Sequence, residues 1–439
     1  MTHLFARTTL SLLMIILCGV VFHAPISMWL GMVWPEPQIE IKAWKEILLA
    51  IVAVLVIVQV AQRHVWRQLW GDWVIKITFL YGAVHILLLP FTWQGVVPTL
   101  AGLLIDLRFV LMFLVMYVVA VLYPSWRRPL LVGAIVAAAV SILFALLQVA
   151  VLPNDILVHI GYSNQTIAPY LTVDQNYNYI RINGTLRGPN PLGLYAAMVM
   201  TACGAALIMM WSQPAQWYKS VRGLIALLGM AAVVALWFSY SRSALIAAVL
   251  AVIIVAIVRF GRTVSREVWI ALFASGLLFA GGLYVVKDTS FVSHVILHED
   301  PDEGNSINSN DGHIESLIDG TERMLRQPFG AGIGSTGSPS LMGEQGLIIE
   351  NHYLYIAHEV GWLGLILFGV LFSRVLWRLW QRRGDWLALS LLASGIGIAV
   401  AGLFLPVWAD DTIALVWWGL AGLVIGRMMP ERRGSHEIK

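Results

Sequence analysis

Apolar segments of roughly 17 to 25 residues, the length a helix needs to cross a bilayer, recur along the chain at about 8–31, 46–62, 74–92, 98–123, 129–151, 190–211, 223–239, 243–259, 268–286, 352–373, 386–405 and 412–427. Between most of them lie only short polar clusters. This rhythm predicts an all-α, polytopic transmembrane helical bundle of about twelve spans. It divides the chain into helices 1–9 (1–286), one large external loop (287–351), and helices 10–12 with a tail (352–439). The first apolar run is too long for the core of a secretory signal and is read as a span. No internal repeat suggesting inverted transporter halves is visible.

The basic residues give an independent check on this count. Alternate connections carry Arg7; Arg63, Arg67 and Lys76; Arg127 and Arg128; Lys219 and Arg222; Arg259, Arg262 and Arg266; Arg374, Arg378, Arg382 and Arg383; and Arg427, Arg432, Arg433 and Lys439, about 19 of the 28. The other connections carry about eight, and Arg108 lies inside a span. The positive-inside rule then makes both termini cytoplasmic in an inner or plasma membrane. Three features fall on the outer face: a loop ending YIRINGTLRGPNPLGLY, a very short turn SYSRSA, and the long loop.

That long loop, from about Lys287 to Asn351, interrupts the apolar rhythm. It is acidic and contains a glycine-rich passage, Gly330 to Ser340. Residues 310–327 space Ile314, Leu317, Ile318, Met324 and Leu325 as on a short amphipathic helix, stopped by Pro328. The glycines after it allow either ordinary turns or a backbone that aims N–H groups at an anion. A membrane protein that spends so much chain outside the bilayer in one place is building a site there.

Composition narrows the class. Hydrophobic residues make up 59% and charged residues 12%, with a mean hydropathy of +0.78, well outside the soluble range. The net charge of +3 comes from scattered loop residues, so nucleic acid is not an expected partner. Cys18 and Cys203 both lie in apolar runs and read as small buried side chains. No metal-ligand spacing, P-loop or Gly-x-Ser-x-Gly appears, so no metal or cofactor is expected.

The candidate chemistry is cationic first. Arg181 and Arg187 bracket the re-entry to the membrane, with Asn190 placed to cap the following helix. Arg242 lies in a turn too short to carry it away from the bilayer edge. Arginine suits two-oxygen recognition of phosphate, while lipid-headgroup snorkelling is the bland alternative. Glu350, Asn351 and His352 mark the second re-entry, where a carboxylate or imidazole would take a proton from a substrate hydroxyl. Interfacial anchoring is the alternative for His352. Glu359 is deep enough to require a structural partner. Asp106 and Arg108 are two apart on a helix and are expected to pair with different neighbours.

These outer elements, in order, resemble the O-antigen ligase/polymerase family of membrane glycan transferases. The family's Arg-x-x-Gly-Thr segment is matched by Arg181, Gly184, Thr185, Pro189 and Asn190, and its Ser-Arg-Ser-Ala turn by Ser241 to Ala244. Its glycine loop is matched by Pro328, Gly330, Gly332, Gly334 and Ser335, and its last motif by Asn351, Tyr353, Leu354, Glu359, Gly361 and Gly364. Where ligase-like members carry His before Asn, this chain has Glu350, and its histidine follows at His352. The resemblance implies a metal-independent glycosyltransferase with a polyprenyl-diphosphate-linked glycan as donor and a glycan as acceptor. Arg181, Arg187 and Arg242 would bind the diphosphate and Glu350 or His352 would act as base, with Asn190, Asn351, Tyr353 and Glu359 in support. The Glu-Asn form leans towards a polymerase, with ligation to a lipid or protein acceptor as the alternative. A transporter or flippase of lipid-linked saccharide is the competitor from another class.

Overall fold

The computed structural model describes residues 2–34, 41–167, 170–173, 176–211, 219–289, 292–293, 309–343 and 346–426. The acidic run around Glu299 to Glu303 and the tail from Arg427 lie outside the described residues. Each of the twelve apolar segments is helical. The longer helices among the described residues are α1 (Thr2–Gly19), α2 (His23–Val33), α3 (Trp44–Arg63), α4 (Trp73–Leu88), α5 (Val96–Leu122), α6 (Arg127–Ala150), α7 (Pro189–Trp211), α8 (Lys219–Phe238), α9 (Arg242–Phe260), α10 (Arg266–Val285), α11 (Ser309–Arg326), α12 (His352–Gln381), α13 (Trp386–Ala401) and α14 (Asp411–Ile425). Among the described residues, eight helical runs are long and apolar enough to cross a membrane, while α4, α13 and α14 are shorter apolar helices. The protein is an all-α polytopic bundle.

Helix α14 packs along α5, where a side chain on Gly422 or Gly426 would collide with the carbonyl oxygens of Phe113 and Tyr117. Close backbone approach of this kind is a common way for helices to associate in lipid. Around this seam Phe109, Phe113, Phe368, Phe372, Trp417 and Trp418 form a continuous aromatic core. A second group, α7, α8, α9 and α13, packs beside it, and α6 touches both α1 and α8.

The amphipathic segment is helix α11, ending one residue before Gln327-Pro328, as the spacing predicts. Helix α12 departs from the sequence reading. Gly361 has φ +69° and ψ −170°, a conformation only glycine adopts readily, and it breaks the helix in two. The halves fold back on each other: the His352 and Phe368 rings lie 5.7 Å apart, whereas sixteen residues of straight helix span about 24 Å. The segment expected to cross as 352–373 is therefore a short helix, 352–360, followed by the long one, 362–381. The loop supplies the reason. Trp362 N donates to the Pro328 oxygen at 3.0 Å, and a Cβ on Gly361 would lie 2.3 Å from that same oxygen.

Several helices end well short of the loop-bearing end of the bundle. Arg108 bonds to Asp411 and to the Ala409 carbonyl at the start of α14, yet it lies twelve residues, about 18 Å, below the first residue of α5. Thr185 bonds to Ser141 at 2.7 Å, nine residues, about 14 Å, below the end of α6. The loops that carry candidate chemistry thus line a recess.

Candidate functional site in the recess

A two-stranded hairpin, Thr172–Val173 with Asn176–Ile180, delivers the chain to Arg181. From there residues 181–186 are all buried. Gln148 accepts from Gly184 N at 2.7 Å, and Tyr162 donates to the Leu186 oxygen at 3.1 Å. A polar loop is stable among apolar helices only when its backbone groups are satisfied in this way.

Arg181 ties this loop to the short turn. Its Nε donates to the Ser239 oxygen at 2.9 Å, and a terminal nitrogen donates to Asn190 Oδ1 at 2.8 Å. Ile182 N donates to the Phe238 oxygen at 3.2 Å. Asn190 sits inside the first turn of α7, which begins at Pro189, so its side chain orients Arg181 rather than capping the helix. The turn itself is made by Tyr240 at φ +46°, and Ser241 Oγ accepts from Ala244 N to cap α9. Arg242 is the first residue of α9, where the helix dipole adds positive potential to its guanidinium.

Glu350, Asn351 and His352 reach the same level from the other side. Asn351 caps the 352–360 helix through Tyr353 N at 2.9 Å and Leu354 N at 3.0 Å, and its amide donates to the Leu403 oxygen at 2.9 Å. His352 N donates to the Gly402 oxygen at 2.8 Å, and the Tyr353 hydroxyl to the Ala399 oxygen at 2.6 Å. Helix α13 packs antiparallel on α9, with Gly397 against Ala247. Gly402 and Arg242 lie five residues, about 8 Å, beyond that contact on their respective helices, and so reach the same depth. Arg181, Asn190, Arg242 and the 350–352 junction therefore lie at one end and one level of the bundle.

The candidates differ in access. Arg187 is exposed, Arg242 and Glu350 are half-buried, and Arg181 is 5% exposed. The His352 ring is 3% exposed, stacked at 5.9 Å on Tyr355, and neither nitrogen has a hydrogen-bond partner among the described residues. It faces the aromatic core.

Glu359 has a structural partner, as its depth predicts. Its Oε1 accepts from Gly334 N at 3.1 Å and Thr336 N at 3.3 Å. The glycine loop does aim N–H groups at an anion, and that anion is the chain's own carboxylate. Gly334 approaches α5 so closely that a Cβ would lie 2.2 Å from the Pro98 oxygen. Thr336 Oγ in turn accepts from Ile349 N at 3.1 Å, which fixes the segment leading into Glu350. Asp106 lies beside Glu359, and its carboxylate is 4.0 Å from His85 Nε2.

Sequence reasoning missed the ion network that anchors the recess floor. Glu46 accepts from Arg108 at 3.0 Å and pairs with Lys45 at 3.2 Å; Asp411 meets Arg108, Lys45 at 3.2 Å and His23 at 3.0 Å. Two cations offset two carboxylates, as buried charge requires. The adjacent pair Lys45-Glu46 at a span boundary was the available signal. Next to it, Asp410 caps α14 through Thr412 N and Ile413 N. Burial, and then the charge of Asp411, hold its carboxyl above the usual range, with Ile413 N and the charges of Arg108 and Arg187 opposing. Among the described residues, no group of His, Cys, Asp and Glu side chains is arranged to hold a metal ion.

The geometry is therefore that of a polytopic helical membrane protein whose arginine-bearing loops lie at one end of the bundle, below the longer helix ends. A family model described as O-antigen ligase matches residues 224–369, a stretch that includes Arg242, the glycine loop and the Glu350–Glu359 junction. This stretch is similar to the O-antigen ligase family, a match that supports membership of that family and an O-antigen ligase/polymerase-type function in a membrane. Arg181 lies outside the matched stretch, yet it is hydrogen-bonded to Ser239 within it. A search of curated proteins returns no match.

Proposed function

We propose that the protein transfers a saccharide from a polyprenyl-diphosphate carrier to an acceptor glycan, in the manner of a polysaccharide polymerase. The observation that carries this reading is the hydrogen-bonded link from Arg181 to Ser239 and Asn190, which unites two arginine-bearing segments in one recess. The basic residues of the alternate loops support an outward-facing recess with both termini cytoplasmic. A donor whose lipid tail stays in the bilayer would bring its diphosphate to that depth. Arg181 and Arg242 bind it, and Arg187 closes over it from the exposed side.

In the reaction the acceptor hydroxyl oxygen attacks the anomeric carbon, the bond from that carbon to the phosphate oxygen breaks, and the diphosphate departs on its lipid. The guanidinium groups stabilise the charge that develops on the leaving oxygen. Glu350, half-buried at the junction, takes the hydroxyl proton. His352, enclosed by Tyr355 and Phe368, holds the junction in place. Asn351 and Tyr353 anchor it to the end of α13, and Glu359 anchors the glycine loop behind it.

The description of the matched family favours a second reading, ligation of the glycan to a lipid or protein acceptor. Purified protein in lipid, given a polyprenyl-diphosphate glycan, separates the outcomes. Chain extension marks a polymerase, and transfer to a different acceptor a ligase. Translocation of the intact lipid without bond formation marks a flippase and overturns the proposal.

A further inference from the structure

Behind the glycine loop, four buried side chains from three helices converge on a polar cluster. His85 comes from α4, Asp106 from α5, and Tyr355 and Glu359 from the first half of α12; none is more than 7% exposed. Glu359 Oε1 takes the loop N–H groups of Gly334 and Thr336. Its Oε2, Asp106 Oδ2, His85 Nε2 and the Tyr355 hydroxyl have no hydrogen-bond partner among the described residues. Asp106 lies beside both Glu359 and Tyr355, and its Oδ2 is 4.0 Å from His85 Nε2. The loop covers the cluster: a Cβ on Gly337 would lie 3.5 Å from the Tyr355 hydroxyl. Unassigned polar atoms buried this deeply in a membrane protein point to a function.

Counting donors shows what the cluster needs. His85 Nδ1 donates to the Tyr81 carbonyl oxygen at 2.9 Å, so Nε2 of the neutral ring is a bare acceptor. Three acceptors then face one hydroxyl donor. Two ionised carboxylates side by side would also repel each other in apolar surroundings. Arg108, two residues along α5, is engaged with Glu46 and Asp411 and does not offset them. We propose that Asp106 and Glu359 share one hydrogen, Asp106 donating to Glu359 Oε2, and that Asp106 is thereby a positioning residue for Glu350. Adjacent buried carboxyl groups elsewhere hold one proton between them in this way. The link onward is continuous: Glu359 holds Thr336 N, Thr336 Oγ holds Ile349 N, and Ile349 precedes Glu350. The consequence for catalysis rests on the reaction proposed above; the shared hydrogen does not.

Two variants at one position separate the shared hydrogen from simple packing. Asp106→Asn keeps a donor towards Glu359 and should hold kcat within about threefold of wild type, whereas Asp106→Ala should lower it about tenfold or more. KM for the lipid-linked donor should change by less than about twofold in both. Equal loss in the two variants, or none in either, would overturn the positioning role. Infrared spectroscopy on the purified protein at neutral pH reads the hydrogen itself, with no substrate present. The C=O band of a protonated carboxylic acid should be present in wild type and lost in Asp106→Asn; a band unchanged by that substitution would overturn the proposal. Amide hydrogen exchange over residues 334–349 should be slow in wild type and Asp106→Asn and faster in Asp106→Ala. Equal exchange in all three would contradict the link to the junction. If band and exchange behave as expected in a protein that forms no glycosidic bond, the transfer reading falls and the shared hydrogen stands.

Discussion

Two loops of this protein re-enter the bundle in similar ways and put charge to opposite uses. The segment from Arg181 to Asn190 brings the Arg181 guanidinium to the recess and fixes it there with a carbonyl and an amide. The glycine loop from Gly330 to Gly337 turns its N–H groups inward and satisfies them on Glu359. Both carry family-like motifs, and both bury backbone that needs partners in an apolar setting. The first carries positive charge held by neutral partners; the second spends its donors on a carboxylate within the fold. A motif rich in anion-binding geometry is therefore not by itself an anion site. What decides is whether the chain supplies its own anion.

Substitutions can break that contrast. Arg242→Ala should have the largest effect, lowering glycan transfer on the order of 10²- to 10³-fold while insertion and thermal stability stay normal. Arg242→Lys should recover only part of the rate, because a point charge cannot reproduce the planar fork. Full activity in Arg242→Ala would remove that residue from the site. On the other side, Gly334→Ala should act through stability. It places a Cβ against the Pro98 oxygen at φ +83°, with a cost of about 2–4 kcal/mol visible in thermal unfolding in detergent.

Glu359→Ala should follow, leaving two N–H groups without their acceptor at about 1–3 kcal/mol, with faster proteolysis of the glycine loop. Glu359→Gln retains the accepting oxygen and should lose less. The smallest effect is expected at Asp410. Its carboxyl is held above the usual range, so the folded protein keeps that proton more tightly than the unfolded chain. Stability should fall as pH rises from the ordinary carboxylate range through Asp410's own midpoint. Asp410→Asn preserves the cap and should flatten that decline in a pH series of melting temperatures.

Much of the architecture is legible in the sequence because a bilayer makes it so. All twelve apolar segments are helices, and the amphipathic helix falls where Ile314 to Leu325 place it. Asp106 and Arg108 indeed face different neighbours, Glu359 and His85 for one, Glu46 and Asp411 for the other. Hydropathy cannot register a reversal inside an apolar run, so the break at Gly361 was invisible: it is set by Pro328, more than thirty residues away. The fold-back also takes the His352 ring into the aromatic core, against Phe368. Depth was lost for the same reason. The arginines read as rim residues because their loops are short, whereas Thr185 against Ser141 and Arg108 against Asp411 place the loops well below the longer helix ends. Lys45 and Glu46, which hold the recess floor, were unremarkable as charges flanking a span.

The most direct test is the affinity of purified protein for a polyprenyl diphosphate carrying no sugar, compared across wild type, Arg181→Ala and Arg242→Ala. Charge-assisted bonds of about 1.5–3 kcal/mol each predict that either variant binds about 10- to 100-fold more weakly, with the difference narrowing at high salt. Unchanged affinity in both variants would contradict the account, because the recess would then not be what holds the phosphates.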